Sequence, residues 1–193
     1  MKIPRIASAA LILILAAAPV TALEPNSSCQ ALAAWAANLE NLPTDYASFT
    51  ALPSSHRRAV YPRLSAAERA GLWQRQWQEA LQLPGWNAEQ AALIAEASQV
   101  MDSGSFTAAK PIEAIRDLES RVAQAFPRAD ARELFYQLGP RDPRIEASAI
   151  KVCDCSLGGT NFCEVGDCRQ VACLQPIDSC GFSWDFPCDG RCG

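Results

Sequence analysis

CDCSLGGTNFCEVGDCRQVACLQPIDSCGFSWDFPCDGRC, residues 153–192, decides how this chain must be held together. Eight cysteines fall in these forty residues: Cys153, Cys155, Cys163, Cys168, Cys173, Cys180, Cys188 and Cys192. Their spacing is C-x-C-x7-C-x4-C-x4-C-x6-C-x7-C-x3-C. Apolar side chains are few, among them Phe162, Val165, Val171, Leu174, Ile177, Phe182, Trp184 and Phe186. So few cannot build a self-sufficient core, and covalent staples must substitute. Each disulfide typically contributes ~2–4 kcal/mol, chiefly by constraining the unfolded chain. Eight cysteines allow 105 pairings, and the spacing does not choose among them. Cys153 and Cys155 are not expected to bridge each other, because so small a ring is strained. Thiolate metal binding is the competing reading of C-x-C and C-x3-C spacings. The stretch has no histidine, and the expected compartment is oxidising, so disulfides are favoured and no metal or cofactor is expected.

The compartment is read from the other end. MKIPRIASAALILILAAAPVTA, residues 1–22, has a basic start in Lys2 and Arg5, a short apolar run, and Val20-Thr21-Ala22 as a small-residue cleavage site. This is the pattern of a signal peptide, and the run is too short to span a bilayer comfortably. Export to the periplasm or beyond is expected. Removing Lys2 and Arg5 leaves 15 basic and 21 acidic side chains, a formal charge of −6. Such a chain is poorly suited to nucleic acid or to anionic lipid.

Between these ends the sequence is rich in alanine and poor in β-branched residues, which favours helix. Cys29–Leu39 places Leu32, Trp35, Ala36 and Leu39 on one face, and Asn41–Asp45 is a turn. A short helix is expected over Ser54–Tyr61, stopped by Pro62. Ser65-Ala66-Ala67-Glu68 is a capping box, and Leu72, Trp73, Trp77, Ala80 and Leu81 follow at helical spacing. Asn87-Ala88-Glu89-Gln90 starts the next helix, with Leu93, Ile94, Ala97, Val100 and Met101 on one face. Asp102-Ser103-Gly104 closes that helix, and Pro111 sits in the first turn of the next. Ile112, Ile115, Leu118, Val122 and Phe126 form a further stripe, and Asp130–Leu138 a last short helix. The expected fold is mainly α: a small helical bundle or array over residues 23–138, a linker over 139–150, and a disulfide-rich, loop-dominated domain over 151–193. Gly139-Pro140-Arg141-Asp142-Pro143-Arg144 reads as a solvated linker open to cleavage.

Phe182, Trp184 and Phe186 alternate. In an extended chain they would share one face and offer a recognition edge; otherwise they are the little core the tail has. Cys29 stands apart from the eight, as a free thiol, an intermolecular link, or a small buried side chain. His56, the only histidine, lies in Ser54-Ser55-His56-Arg57-Arg58 and reads as a surface residue. Ser54 or Ser55 beside it makes no triad without an orienting carboxylate. Glu68 and Glu79 are carboxylates of the kind that charged helix faces carry routinely. No enzyme is expected.

Cys153-Asp154-Cys155-Ser156 through Cys180-Gly181-Phe182 to Pro187-Cys188-Asp189-Gly190-Arg191-Cys192 resembles the bacteriocin fulvocin C-related proteins. Leu42-Pro43-Thr44-Asp45-Tyr46, Arg58-Ala59-Val60-Tyr61, Leu64-Ser65 leading to Leu72-Trp73, and Glu89-Gln90 fit the helical region of that group. The resemblance implies an exported, antibacterial or antagonistic protein whose cysteine-rich tail is the effector or recognition module. The alternative is a non-catalytic envelope binding or structural protein. The implied partner is a protein or envelope target. From Lys151 onward the chain has three basic and six acidic residues, a formal charge of −3, which argues against membrane lysis.

Overall fold

In the computed structural model the described residues are 25–101, 112–140, 155–157, 168–170, 178–188 and 190–192. The expected signal peptide, the closing turn at 102–104, Pro111 and linker residues 141–150 lie outside them. The architecture is mostly helical with little strand, as expected. The helices are α1 (Pro25–Ala37), α2 (Tyr46–Thr50), α3 (Ser54–Val60) with a 3-10 turn at Tyr61–Arg63, α4 (Ala66–Leu81), α5 (Ala88–Val100), α6 (Ile112–Ala125) and α7 (Arg128–Ala131). The chain then widens into a π-helical turn, Arg132–Tyr136.

Local chemistry sets these boundaries. Ser65 Oγ accepts from the Glu68 amide at 3.3 Å while Glu68 Oε2 accepts from the Ser65 amide at 2.7 Å, so two amides at the start of α4 are satisfied reciprocally. Asn87 and Gln90 do the same for α5. Asp45 caps α2 by accepting from the Ser48 amide at 3.0 Å. This five-residue helix was not foreseen, being too short to show a period. α4 packs on α5 and α5 on α6, while α1 lies against α3. Arg121 of α6 reaches Glu96 of α5, its Nη1 donating to Oε2 at 2.7 Å.

Most of the stripe residues expected to be core are core, but Leu81 is exposed and Leu32, Trp35, Leu39 and Val100 are only partly buried. Leu72, Trp73, Trp77, Ala80, Leu93, Ile94, Ala97, Met101, Ile115, Leu118, Val122 and Phe126 are all buried. The expected helix over 130–138 differs, because the carbonyls there are claimed by side chains of α4. Gln76 Nε2 donates to the carbonyls of Glu133, Leu134 and Gln137, and Trp77 Nε1 to that of Leu134 at 3.0 Å. A widened turn frees carbonyls for such donors.

The described part of the cysteine-rich stretch forms two small antiparallel ribbons. β1 (Cys168–Gln170) pairs with β4 (Gly190–Cys192), and β2 (Asp178–Cys180) with β3 (Phe186–Pro187). Cys155 adds a bridge to Gly190. The core does not stop at the expected boundary at residue 138. Phe182, Trp184 and Phe186 belong to the same buried cluster as Tyr61, Trp73, Phe135 and Leu138.

Nor is Gly139, the first linker residue, solvated, although Pro140 is exposed. The guanidinium of Arg57, itself buried, donates to the carbonyls of Leu138 and Pro140. The Gly139 amide donates to Gln76 Oε1 at 2.7 Å. Gly139 has φ +79°, and a Cβ there would collide with Arg57 Nη1, so only glycine fits this close approach.

Candidate functional site

The most elaborate constellation in the molecule lies where the loop between Cys180 and Cys188 meets the helices. α3 and its 3-10 extension supply one wall. Arg57 and Tyr61 are four residues apart and both buried, so they share the inward face; Arg58, one residue on from Arg57, turns toward the loop. α4 supplies Trp73, and the π-helical turn supplies Phe135 and Tyr136.

Into this wall the loop inserts its rings. Trp184 stands edge-on to Tyr61, with centroids 5.2 Å apart, and edge-on to Trp73 at 6.1 Å. Phe182 stacks on Phe135 at 5.4 Å and meets Tyr136 edge-on at 5.8 Å. These are the offset and T-shaped arrangements that ring quadrupoles favour. Polar atoms are threaded between the rings. Trp73 Nε1 donates to Tyr61 Oη at 2.9 Å, and Tyr61 Oη donates to the Ser183 carbonyl at 3.0 Å. Trp184 Nε1 donates to the Tyr136 carbonyl at 2.9 Å. Burial holds the Tyr61 phenol well above its ordinary range. The Trp73 hydrogen bond and the Arg69 cation oppose this, and the Asp185 carboxylate adds to it.

Arg58 spans the junction. Its guanidinium carbon lies 5.2 Å from the Trp184 ring centroid, and Nη1 lies 3.4 Å from Cys180 Sγ and 3.7 Å from Cys188 Sγ. These two sulfurs form a disulfide, as do Cys155 and Cys168. Both Cys180 and Cys188 are buried, at 2% and 1% exposure. The loop they close is strained: Ser183 has φ +52° and Trp184 φ +55°. The neighbouring Gly181 has φ +70°, and a Cβ there would lie 2.7 Å from Phe186 Cδ2.

The sequence-predicted residues fall as follows. Cys155, Cys168, Cys180 and Cys188 are paired in disulfides, so these four are not thiolate metal ligands. Cys153, Cys163 and Cys173 lie outside the described residues. Cys192 is in β4 opposite Cys168, and its side chain lies outside them. The same holds for the side chain of Cys29, whose backbone is in α1.

Phe182, Trp184 and Phe186 do not form an exposed recognition edge. They are 0%, 3% and 9% exposed. The alternation misleads because Phe182–Trp184 is a 3-10 turn with left-handed residues, not an extended strand. His56 is half-buried, edge-on to Trp35 at 4.4 Å, with Ser55 Oγ 3.3 Å from Nδ1. Glu68 is occupied by the cap of α4, and Glu79 accepts from Arg75 Nε at 2.9 Å. An open depression of about 440 Å³, lined by Tyr46, Gly71, Leu72, Arg75 and Glu79 among others, lies between α2 and α4.

The sequence pattern assigned no site role to Arg57, Arg58, Tyr61 or Gln76. A signal for two of them was present. Gln76 falls three residues after Trp73 and four before Ala80, on the buried stripe of α4. Arg57 falls three before Val60 and four before Tyr61, on the inward face of α3.

No family model matches this chain, and no curated protein or solved structure matches it. Among the described residues no helix is long and apolar enough to cross a membrane.

Proposed function

We propose that this chain is an exported, non-enzymatic binding protein that works as one stapled body, and that its antagonistic, bacteriocin-like action is exerted on a protein target. The observation that carries the reading is the burial of Phe182, Trp184 and Phe186 within the core of the helical array. A tail built as a releasable effector would keep its rings to itself. This tail gives them to Tyr61, Trp73, Phe135 and Tyr136. The acidity of the tail favours a protein target over an anionic membrane. The two disulfides among the described residues suit an oxidising compartment and so support export. The side chains that invite a catalytic reading are engaged structurally: His56 packs on Trp35, and Glu68 caps α4.

The test applies the purified, oxidised chain lacking residues 1–22 to a broad panel of bacteria, beside a synthetic peptide of residues 151–193. In parallel, the same chain is immobilised and exposed to envelope extracts. Growth inhibition by the intact chain, lost on reduction and absent from the peptide, is the expected result. Specific envelope capture without inhibition would favour the envelope-binding reading. Inhibition by the peptide alone would overturn the one-body reading in favour of a released effector.

A further inference from the structure

We propose that the Cys180–Cys188 disulfide is a redox latch: it holds the Phe182–Phe186 loop in the helical core, and its reduction lets that loop leave. Three observations meet at this bridge. The loop carries two non-glycine residues in the left-handed region, Ser183 and Trp184, a conformation that persists only where the surroundings impose it. The loop contributes Phe182 and Trp184 to the core of the helices, so its position changes what that core contains. The guanidinium of Arg58 lies against both sulfurs and over the Trp184 ring, so one cation touches the bridge and the docked ring together.

The chemistry requires a dithiol reductant. One reductant thiolate attacks a bridge sulfur, the S–S bond breaks, and a mixed disulfide forms with the other cysteine leaving as thiolate. The second reductant thiol then closes on the first. Two electrons and two protons pass to Cys180 and Cys188, and the reductant becomes a cyclic disulfide. Arg58 Nη1 is placed to stabilise the leaving thiolate, as a neighbouring cation favours that form. With 2% and 1% of the cysteines exposed, the attack has to follow opening of the loop. Docking therefore protects the bridge. If docking also makes the bridge harder to reduce at equilibrium, linkage requires that the bridge favour docking. Cys155 and Cys168 form a buried cluster of their own, and their bridge serves as the internal control.

The test uses the full chain without its signal segment. Graded dithiothreitol is added, free thiols are trapped with iodoacetamide, and each bridge is followed by peptide mass mapping. Trp184→Ala is expected to speed reduction of Cys180–Cys188 roughly tenfold or more, within the usual range of such couplings, while Cys155–Cys168 changes by less than about twofold. Trp184→Phe, which keeps a ring but loses the hydrogen bond to Tyr136, should fall between, and it gives the same reading if the alanine variant does not fold.

The converse arm replaces Cys180 and Cys188 by serine together and follows amide exchange. Residues 181–187 should exchange roughly tenfold faster or more, while α4 and α5 keep their protection. The proposal is overturned if the Trp184 variants reduce at the native rate. It is also overturned if residues 181–187 stay protected without the bridge, or if α4 and α5 lose protection with them, since the bridge would then be a plain staple.

Discussion

α4 and the loop closed by Cys180–Cys188 feed the same core by opposite means. α4 delivers Trp73 and Trp77 from sixteen residues of regular helix, whose backbone bonds are internal and whose first turn is satisfied by the Ser65–Glu68 box. The loop delivers Phe182 and Trp184 from seven residues between two joined cysteines, with Gly181, Ser183 and Trp184 at positive φ. A helix supplies its own scaffold and can spend its side chains on packing. The loop has no internal ladder, so its shape comes from a disulfide, a two-rung ribbon and the helices that receive it. Where the backbone cannot organise itself, covalent and tertiary constraints have to do so.

If the two suppliers serve one core, removing a ring from either should cost alike. Trp184→Ala and Trp77→Ala should each lower stability by about 3–5 kcal/mol, read from guanidinium melts followed by far-ultraviolet circular dichroism. Far-ultraviolet signal reports mostly helix. A Trp184→Ala melt that left the helical midpoint unchanged would therefore separate the tail from the helical body and break the comparison. Next in size is the double replacement Cys180→Ser with Cys188→Ser. It should weaken docking of the loop by about 2–4 kcal/mol, read as faster amide exchange over residues 181–187, because the opened loop regains the freedom that the bridge removes.

The same contrast explains what could be read in advance. Ser65 with Glu68, Asn87 with Gln90, and the stripes through Trp73, Leu93 and Leu118 were legible because a helix repeats its face every three to four residues. Gln76 was legible in principle, since it sits on such a stripe. The π-helical turn was not, because it exists to offer carbonyls to Gln76, Trp77 and Trp184 from distant elements. The destination of Trp184 was not legible either. Its alternation with Phe182 and Phe186 suggests an extended edge, but a left-handed pair inside a closed loop erases that period. Local periodicity carries no information about a segment whose conformation is imposed from outside.

Tyr61 stands where the two suppliers meet, so its phenol sharpens the comparison with a smaller effect. Tyr61→Phe leaves the Trp73 Nε1–H and the Ser183 carbonyl without their partner, which should cost about 1–3 kcal/mol at neutral pH. The pH dependence has a definite sign. The folded phenol is held above its unfolded value of about 10. Its contribution is therefore fully present below that pH and is lost as pH rises above it, because only the unfolded chain releases the proton readily. Tyr46, raised mainly by burial and next by Glu79, acts in the same direction. A series of thermal melts between pH 8 and 11 should thus fall steeply for the native chain and less steeply for Tyr61→Phe. Equal slopes would mean that the Tyr61 phenol is not sealed by the docked loop.

Two serines give the smallest and most discriminating pair. Ser65 is exposed, but its oxygen satisfies an amide that the start of α4 would otherwise leave bare; Ser65→Ala should cost about 1 kcal/mol. The partner carboxyl of Glu68 is held below its usual range by Ser65, so its share of the cap is present at neutral pH and is lost as the solution is acidified through that range. Ser183 is fully buried, yet its hydroxyl has no hydrogen-bond partner among the described residues, and alanine meets the same backbone strain at φ +52°. Ser183→Ala should therefore stay within about 0.5 kcal/mol of the native chain or stabilise it slightly, since an unsatisfied buried hydroxyl contributes nothing when removed. Burial alone would rank the two the other way. Urea melts of both variants at pH 7 decide it, and a larger loss from Ser183→Ala than from Ser65→Ala would show that the loop depends on side-chain bonding as the helix does.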